Sequence, residues 1–189
     1  MKIISKYCIY IFLFFSIINC AKKASPTGGP KDTIPPVLIS ASPKLNTTFF
    51  DKEEVKLIFN EYVTLDDIDK QLIISPPLKI GGYKLHPTMS ASKKITLSII
   101  DTLLENTTYT FNFGEGIKDY NEENKMSFFS YTISTGAEID SLNLKGKIKD
   151  AIEMKPDDFI SIQLYPVDSS YNDSAIYKRK PFYVASTLD

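Results

Sequence analysis

Asp119, Asn121 and Glu123 are the residues whose type and spacing come nearest to a metal site in this 189-residue chain. Hard cations such as calcium are held by carboxylate and amide oxygens presented at alternate positions of a loop. The rest of that pattern is missing. Asn124 stands where a calcium loop of the EF type turns on glycine, and Ser130 stands where it closes on glutamate. A polar hairpin loop explains 119–125 equally well, so no metal and no cofactor is expected. His86 is the only imidazole. Nucleophilic catalysis needs a histidine oriented by a third group. Here Pro87 follows it and no G-x-S-x-G precedes it, so a strand-end histidine is expected. Gly114-Glu115-Gly116 superficially offers a glycine loop, but a phosphate cradle needs a helix N-terminus behind it. The flanking residues are β-formers, and a strand-end turn is expected instead. Glu61 and Glu115 are candidates for a glycosidase pair only because each falls near a strand end. Asp66, Asp67 and Asp69 read as caps of a short helical turn near Thr64, where side-chain oxygens satisfy open N–H groups. No catalysis is expected from this set.

The chemistry the sequence states most clearly lies at its N-terminus. Lys2 and Lys6 precede an apolar run from Cys8 to Ile18, only 11 residues long. A membrane-spanning helix needs roughly 20. Residues 19–36 are polar and rich in Pro and Gly, so the run cannot be extended. It reads as a secretory signal over 1–19. Ile17-Ile18-Asn19-Cys20 resembles a lipobox, in which diacylglycerol is joined to the cysteine and the chain is cut before it. Asn19 departs from the usual small residue at that position. Lipidation at Cys20 would leave the mature chain with no second cysteine for a disulfide or a metal. More than one acyl chain gives stable anchoring, at about 0.8 kcal/mol per buried CH₂. Ala21-Lys22-Lys23 carries no aspartate of the kind that marks inner-membrane retention. An outer-membrane lipoprotein facing the periplasm is therefore the expected location.

The elements that must carry these residues are strands. Lys+Arg number 22 and Asp+Glu 23, a balance that leaves no footprint for nucleic acid. Residues 20–36 form a lipidated start and flexible linker rich in Pro and Gly. From Val37 the pattern alternates with period two. Val37 and Ile39 are expected to form one strand, Val55, Leu57 and Phe59 a second, and Leu72 and Ile74 a third. Leu78 and Ile80, then Gly81-Gly82, then Tyr83 and Leu85 predict a hairpin. Ile95, Leu97 and Ile99 alternate, as do Tyr109, Phe111 and Phe113, and then Phe129, Tyr131 and Ile133. Helical periodicity is confined to Leu65–Leu72. Seven or so strands over 37–136 describe an all-β, Ig-like sandwich. Over 137–189, Leu142, Leu144 and Ile148, then Ile160, Ile162 and Leu164, then Phe182 and Val184 predict three more strands. So short a segment buries little apolar area. It reads as an incomplete second β-domain, or as a small sheet appended to the first.

Cys20 followed by Pro26-Thr27-Gly28-Gly29-Pro30-Lys31-Asp32-Thr33-Ile34-Pro35-Pro36 resembles the start of a Bacteroidetes lipoprotein family. The resemblance continues through Ser42-Pro43, Phe59-Asn60-Glu61-Tyr62-Val63, Leu72-Ile73-Ile74-Ser75-Pro76-Pro77, Tyr109-Thr110-Phe111, Gly116-Ile117-Lys118-Asp119 and Tyr131-Thr132-Ile133-Ser134-Thr135-Gly136. It implies a bacterial Ig-like domain of the type named after the surface-layer protein SbsA. It implies a spacer or binding role in the cell envelope and no known enzyme activity. Leu144-Lys145-Gly146-Lys147-Ile148 and Lys180-Pro181-Phe182-Tyr183 resemble the opening of the family's second β-domain.

An Asp followed by Ser or Thr and then an apolar residue resembles the O-glycosylation signal of that phylum. It marks Thr33, Thr102, Ser141 and Ser174 as acceptors, although Asp-Ser and Asp-Thr are also ordinary turn dipeptides. The expected function is structural or protein- and glycan-binding, with the membrane as partner through the lipid. The rival is a glycan-binding or glycan-processing accessory protein. Exposed rings at Tyr83, Tyr120 and Tyr171 would favour that rival.

Overall fold

A computed structural model describes residues 29–154, 160–169 and 171–187. The signal segment and Cys20 lie outside them. Two sheets face each other over a core. The first has the order β1-β2-β5-β4, from Leu38–Ser42, Glu54–Leu65, Ser92–Ile99 and Tyr83–His86. The second has the order β3-β6-β8, from Ile73–Ser75, Thr108–Asn112 and Ser130–Ser134. In immunoglobulin lettering these are ABED and CFG, the constant-type arrangement. The strand pairings within these sheets are antiparallel, and an isolated parallel bridge joins Thr47 to Ile133 of β8. One further strand, β7 (Ile117–Asp119), sits between β6 and β8 in the chain and pairs with the far end of β2.

Alternation explains the core. Val55, Leu57 and Phe59 of β2 are buried, with Ile95, Leu97 and Ile99 of β5 and Leu85 of β4. Ile74, Tyr109, Phe111, Phe113, Tyr131 and Ile133 meet them from the other sheet. Phe129 packs edge-on to Phe59, with ring centroids 6.4 Å apart, and lies 5.5 Å from Phe113. Each such side chain contributes about 1.5–3 kcal/mol on leaving water. Two hydroxyls tie the strands to the ends of the sandwich. Tyr109 Oη accepts the Leu104 N–H at 2.9 Å, the tyrosine-corner arrangement. Tyr131 Oη donates to the Pro43 carbonyl at 2.9 Å, and burial pushes its pKa up to about 12.

Four expectations are corrected. Val37 and Ile39 do not face the core; both are exposed, and Leu38 and Ala41 pack inward instead. An irregularity between Leu38 and Ser40 shifts the register and reverses the phase of the alternation. The Gly81-Gly82 hairpin does not form, for Leu78 and Ile80 lie in no strand and Ile80 is fully exposed. The turn is instead fastened to the loop after β5. Asp101 Oδ2 accepts the Lys79 N–H, and the Gly82 carbonyl accepts the N–H groups of Ile100 and Asp101. β4 therefore pairs with β5. The short helix α1 (Ile68–Gln71) lies within the predicted stretch, but no aspartate side chain caps it. Asp67 adopts a left-handed conformation and its backbone carbonyl accepts from Lys70 and Gln71, while Asp66 pairs with Lys118. Finally, Leu142 and Leu144 are exposed and form no strand.

The later part of the chain forms β9 (Ser161–Leu164), the short helix α2 (Ala175–Lys178) and β10 (Tyr183–Ser186). β9 and β10 pair with each other. β10 lies beside β3, where the Val184 N–H donates to Ser75 Oγ at 3.0 Å. Tyr183 Oη donates to Asp140 at 2.8 Å, and the Asp140 N–H donates to Thr108 Oγ1.

Candidate functional site

The polar end of the sandwich is built where β2 runs past β5 to meet β7. Only three residues of β5, Ser92 to Lys94, answer the stretch Ile58–Val63, so β2 bulges there. Val63 then resumes pairing opposite Asp119. Asp119 is almost wholly buried, at 1% exposure. Its Oδ1 accepts the N–H groups of Glu122 (2.6 Å) and Glu123 (3.0 Å), and its Oδ2 that of Asn124 (2.8 Å). Burial pushes the Asp119 carboxyl up, but these amides favour the anion more, and the net shift is below the ordinary carboxylate range. The loop 120–124 is wrapped around that carboxylate.

Glu61, in the β2 bulge, behaves oppositely. Burial pushes its carboxyl up, and the negative charges of Asp119, Asp32 and Glu122 push it further, against a hydrogen bond from Asn60. Glu115 is not among the groups that act on Glu61; it pairs with Lys125 at 3.4 Å. Of the calcium candidates, Asp119 is bound by amides and Glu123 pairs with Lys118 at 3.3 Å. Asn121 lies in the same loop. Among the described residues no three His, Cys, Asp or Glu side chains are placed to hold a metal.

Gly114-Glu115-Gly116 is the turn joining β6 to β7. Gly114 has φ +53°, and a Cβ there would meet Gln71 Oε1 at 2.5 Å. Its N–H donates to Asn112 and that of Glu115 to Gln71, so these amides are engaged within the fold. His86 is the last residue of β4 and is exposed.

Thr33, Thr102 and Ser141 are exposed, while Ser174 is half-buried at the start of α2. Cys20 falls outside the described residues. Of the three tyrosines expected to form a platform, Tyr120 and Tyr171 are exposed and Tyr83 is half-buried against the core. Sequence reasoning missed Tyr62. It is 56% exposed, its carbonyl accepts the Tyr120 N–H, and Lys93 Nζ stands 5.5 Å from its ring centroid. No local pattern marks that contact, because Lys93 reaches Tyr62 only through the pairing of β2 with β5.

The domain profile described as bacterial Ig-like domain matches residues 32–135, more than half of the chain. The chain belongs to the bacterial Ig-like domain family. No curated protein sequence matches it. Among solved structures it is similar to PcoC, a methionine-rich copper resistance protein from Escherichia coli. That alignment has TM-score 0.37 and 16% identity over 52% of this chain and 96% of PcoC. It is also similar to the N-terminal part of the bacterial S-layer protein SbsC, with TM-score 0.36 and 20% identity over 55% of this chain and 24% of that structure. A longer SbsC structure aligns with TM-score 0.31 and 16% identity over 72% of this chain. The chain spans about a quarter or less of either S-layer structure.

Proposed function

We propose that this Ig-like chain is a lipid-anchored cell-envelope protein of the Bacteroidetes type, without catalysis, whose sandwich serves as a spacer or binding module. The lipid is carried by Cys20 and the domain is held at the periplasmic face of the outer membrane. One observation carries the non-catalytic part of this reading. The sandwich's most chemically capable side chains are occupied in fastening its own turns: Asp119 by three amides, Asp101 by Lys79 and Thr102, Tyr109 and Tyr131 by backbone groups. Among the described residues no helix is long and apolar enough to cross a membrane. The lipobox supplies the address, the linker the reach, and the loops and faces of the sandwich the contacts.

Thr33, Thr102 and Ser141 are the acceptors most accessible to a glycosyltransferase, and Ser174 the least. A second reading, as a glycan-binding accessory protein, is favoured by one feature: the exposed rings of Tyr62 and Tyr120, joined through their backbones. Sugar rings stack on such faces.

Mass spectrometry of the protein from its own membranes tests the main reading. The expected N-terminal peptide begins at an acylated Cys20, with hexose mass on the peptide containing Thr33. An unmodified N-terminus in a soluble fraction would overturn the anchor. Replacing Tyr62 and Tyr120 by Ala together separates the second reading, since envelope glycan retention should drop only if those rings bind it.

A further inference from the structure

We propose that the outer face of the β1-β2-β5-β4 sheet rests on an anionic lipid surface, the membrane to which the chain is tethered. The proposal builds on the lipid-anchor reading. The register places its residues unambiguously. Lys84 of β4 stands beside Ser98 of β5 and Glu54 of β2. His86, Thr96, Lys56 and Ser42 form the next row, and Lys94, Ile58 and Ser40 the third. The inward partners of these strands are buried, so this set faces out, and its lysines are exposed. Lys56 pairs with Glu54 at 3.4 Å. Lys84 and Lys94 form no ion pair among the described residues, and the face carries a net charge of about +2 from three lysines and one glutamate. Ile58, 40% exposed, supplies an apolar contact at the same level as Lys94.

Two other surfaces of the sandwich do not offer this complementarity. The outer face of the β3-β6-β8 sheet carries Ser75, Thr110, Asn112, Ser130 and Thr132 and no charged residue, and β10 already bonds to Ser75. The end bearing Asp32, Glu61 and Glu122 is acidic: burial raises the Glu61 carboxyl, and the charges of Asp119, Asp32 and Glu122 raise it further. That end is also where the tether joins, since Asp32 lies 12 residues beyond Cys20. A tether of about 40 Å at full extension keeps the lysine face within reach of the headgroups. It raises the effective concentration without adding a contact. Each lysine near an anionic leaflet biases the bound orientation about fivefold, so a net two charges bias it about 25-fold.

The test uses the full acylated chain reconstituted into vesicles of phosphatidylcholine, with or without phosphatidylglycerol. A membrane-impermeant amine-reactive ester labels lysines, which are read by peptide mass spectrometry. We expect Lys56, Lys84 and Lys94 to be labelled several-fold less in phosphatidylglycerol vesicles. Lys70 and Lys125 should be unchanged, and high salt should remove the difference. The double variant Lys84→Glu with Lys94→Glu should abolish the protection of Lys56 while the protein still floats with the vesicles. Equal labelling in both lipids overturns the proposal. Protection that persists in the variant overturns it too, as does protection that tracks protein density (contact with a second copy). Failure to float with phosphatidylcholine vesicles overturns the anchor reading itself, and this proposal with it.

Discussion

The sandwich and the segment that follows it use the same sequence devices to different effect. Both contain alternating strands, and both contain an aspartate that clasps the amides of the next few residues. Asp119 accepts three N–H groups while almost fully buried. Asp150 accepts those of Ile152 and Glu153 while exposed. In the sandwich, alternation faces an opposing sheet, and Phe111 and Ile133 vanish from solvent. In the later segment every residue of β9 stays exposed. The pattern is a property of the strand, whereas the stabilisation is a property of what faces it.

Truncating the two regions should break them apart most visibly. Phe111→Ala should cost about 3–5 kcal/mol in urea unfolding, whereas Leu164→Ala, at a half-exposed site on β9, should cost less than about 1 kcal/mol. A similar loss for both would show that the later segment carries a core of its own.

The aspartates sharpen the contrast. Asp119→Ala leaves three amides without their acceptor and should cost about 1–3 kcal/mol. Asp150→Ala should leave the unfolding midpoint where it was, because water replaces the carboxylate. The pH dependence follows from the sign of the shift. The Asp119 carboxyl is held below its unfolded value, so its contribution is present above about pH 4 and is lost as pH falls through the folded pKa. Asp119→Asn should flatten that acid limb. Glu61 acts in reverse: its raised carboxyl contributes stability below its unfolded pKa, lost as pH rises through the folded one. Removing Glu61 should therefore make the protein relatively more stable at neutral pH.

Gly114→Ala should cost about 1 kcal/mol or more, by chemical denaturation, since φ is positive and Gln71 occupies the space. The smallest effect belongs to the junction of the two regions. Tyr183→Phe removes the bond to Asp140 and should leave the sandwich midpoint unchanged. Amide exchange in β10 should quicken while that in β6 stays slow. Exchange that quickens in both strands would mean that β10 supports the sandwich.

Much of the sandwich was legible because its strands obey one period. Val55, Leu57 and Phe59 alternate, and so do Ile95, Leu97 and Ile99, with polar residues between them. The strand-end turn at Gly114-Glu115-Gly116 and the strand-end histidine at His86 were legible for the same reason. β7 was not, for Ile117-Lys118-Asp119 is too short to show a period, and β2 was read as ending near Phe59 when it runs to Leu65. The bulge that carries Glu61 and Tyr62 has no local signature. Val37 and Ile39 misled because alternation marks two faces without saying which is buried, and here Leu38 and Ala41 take the inner one. Leu78 and Ile80 misled because a Gly-Gly pair marks a turn without saying what it joins.

By itself the sequence determined that the chain is all-β and Ig-like, since alternation and turn residues are local and survive without partners. The signal-like start and the lipid on Cys20 rest on linear motifs alone and belong to the proposed function. The tertiary structure alone decided which polar groups are occupied and which are open. Asp119 and Lys84 look alike on the page as charged strand residues. One is sealed beneath its own loop and the other stands on an open face, because burial and pairing are set by strand order and register across distances that no window of sequence spans.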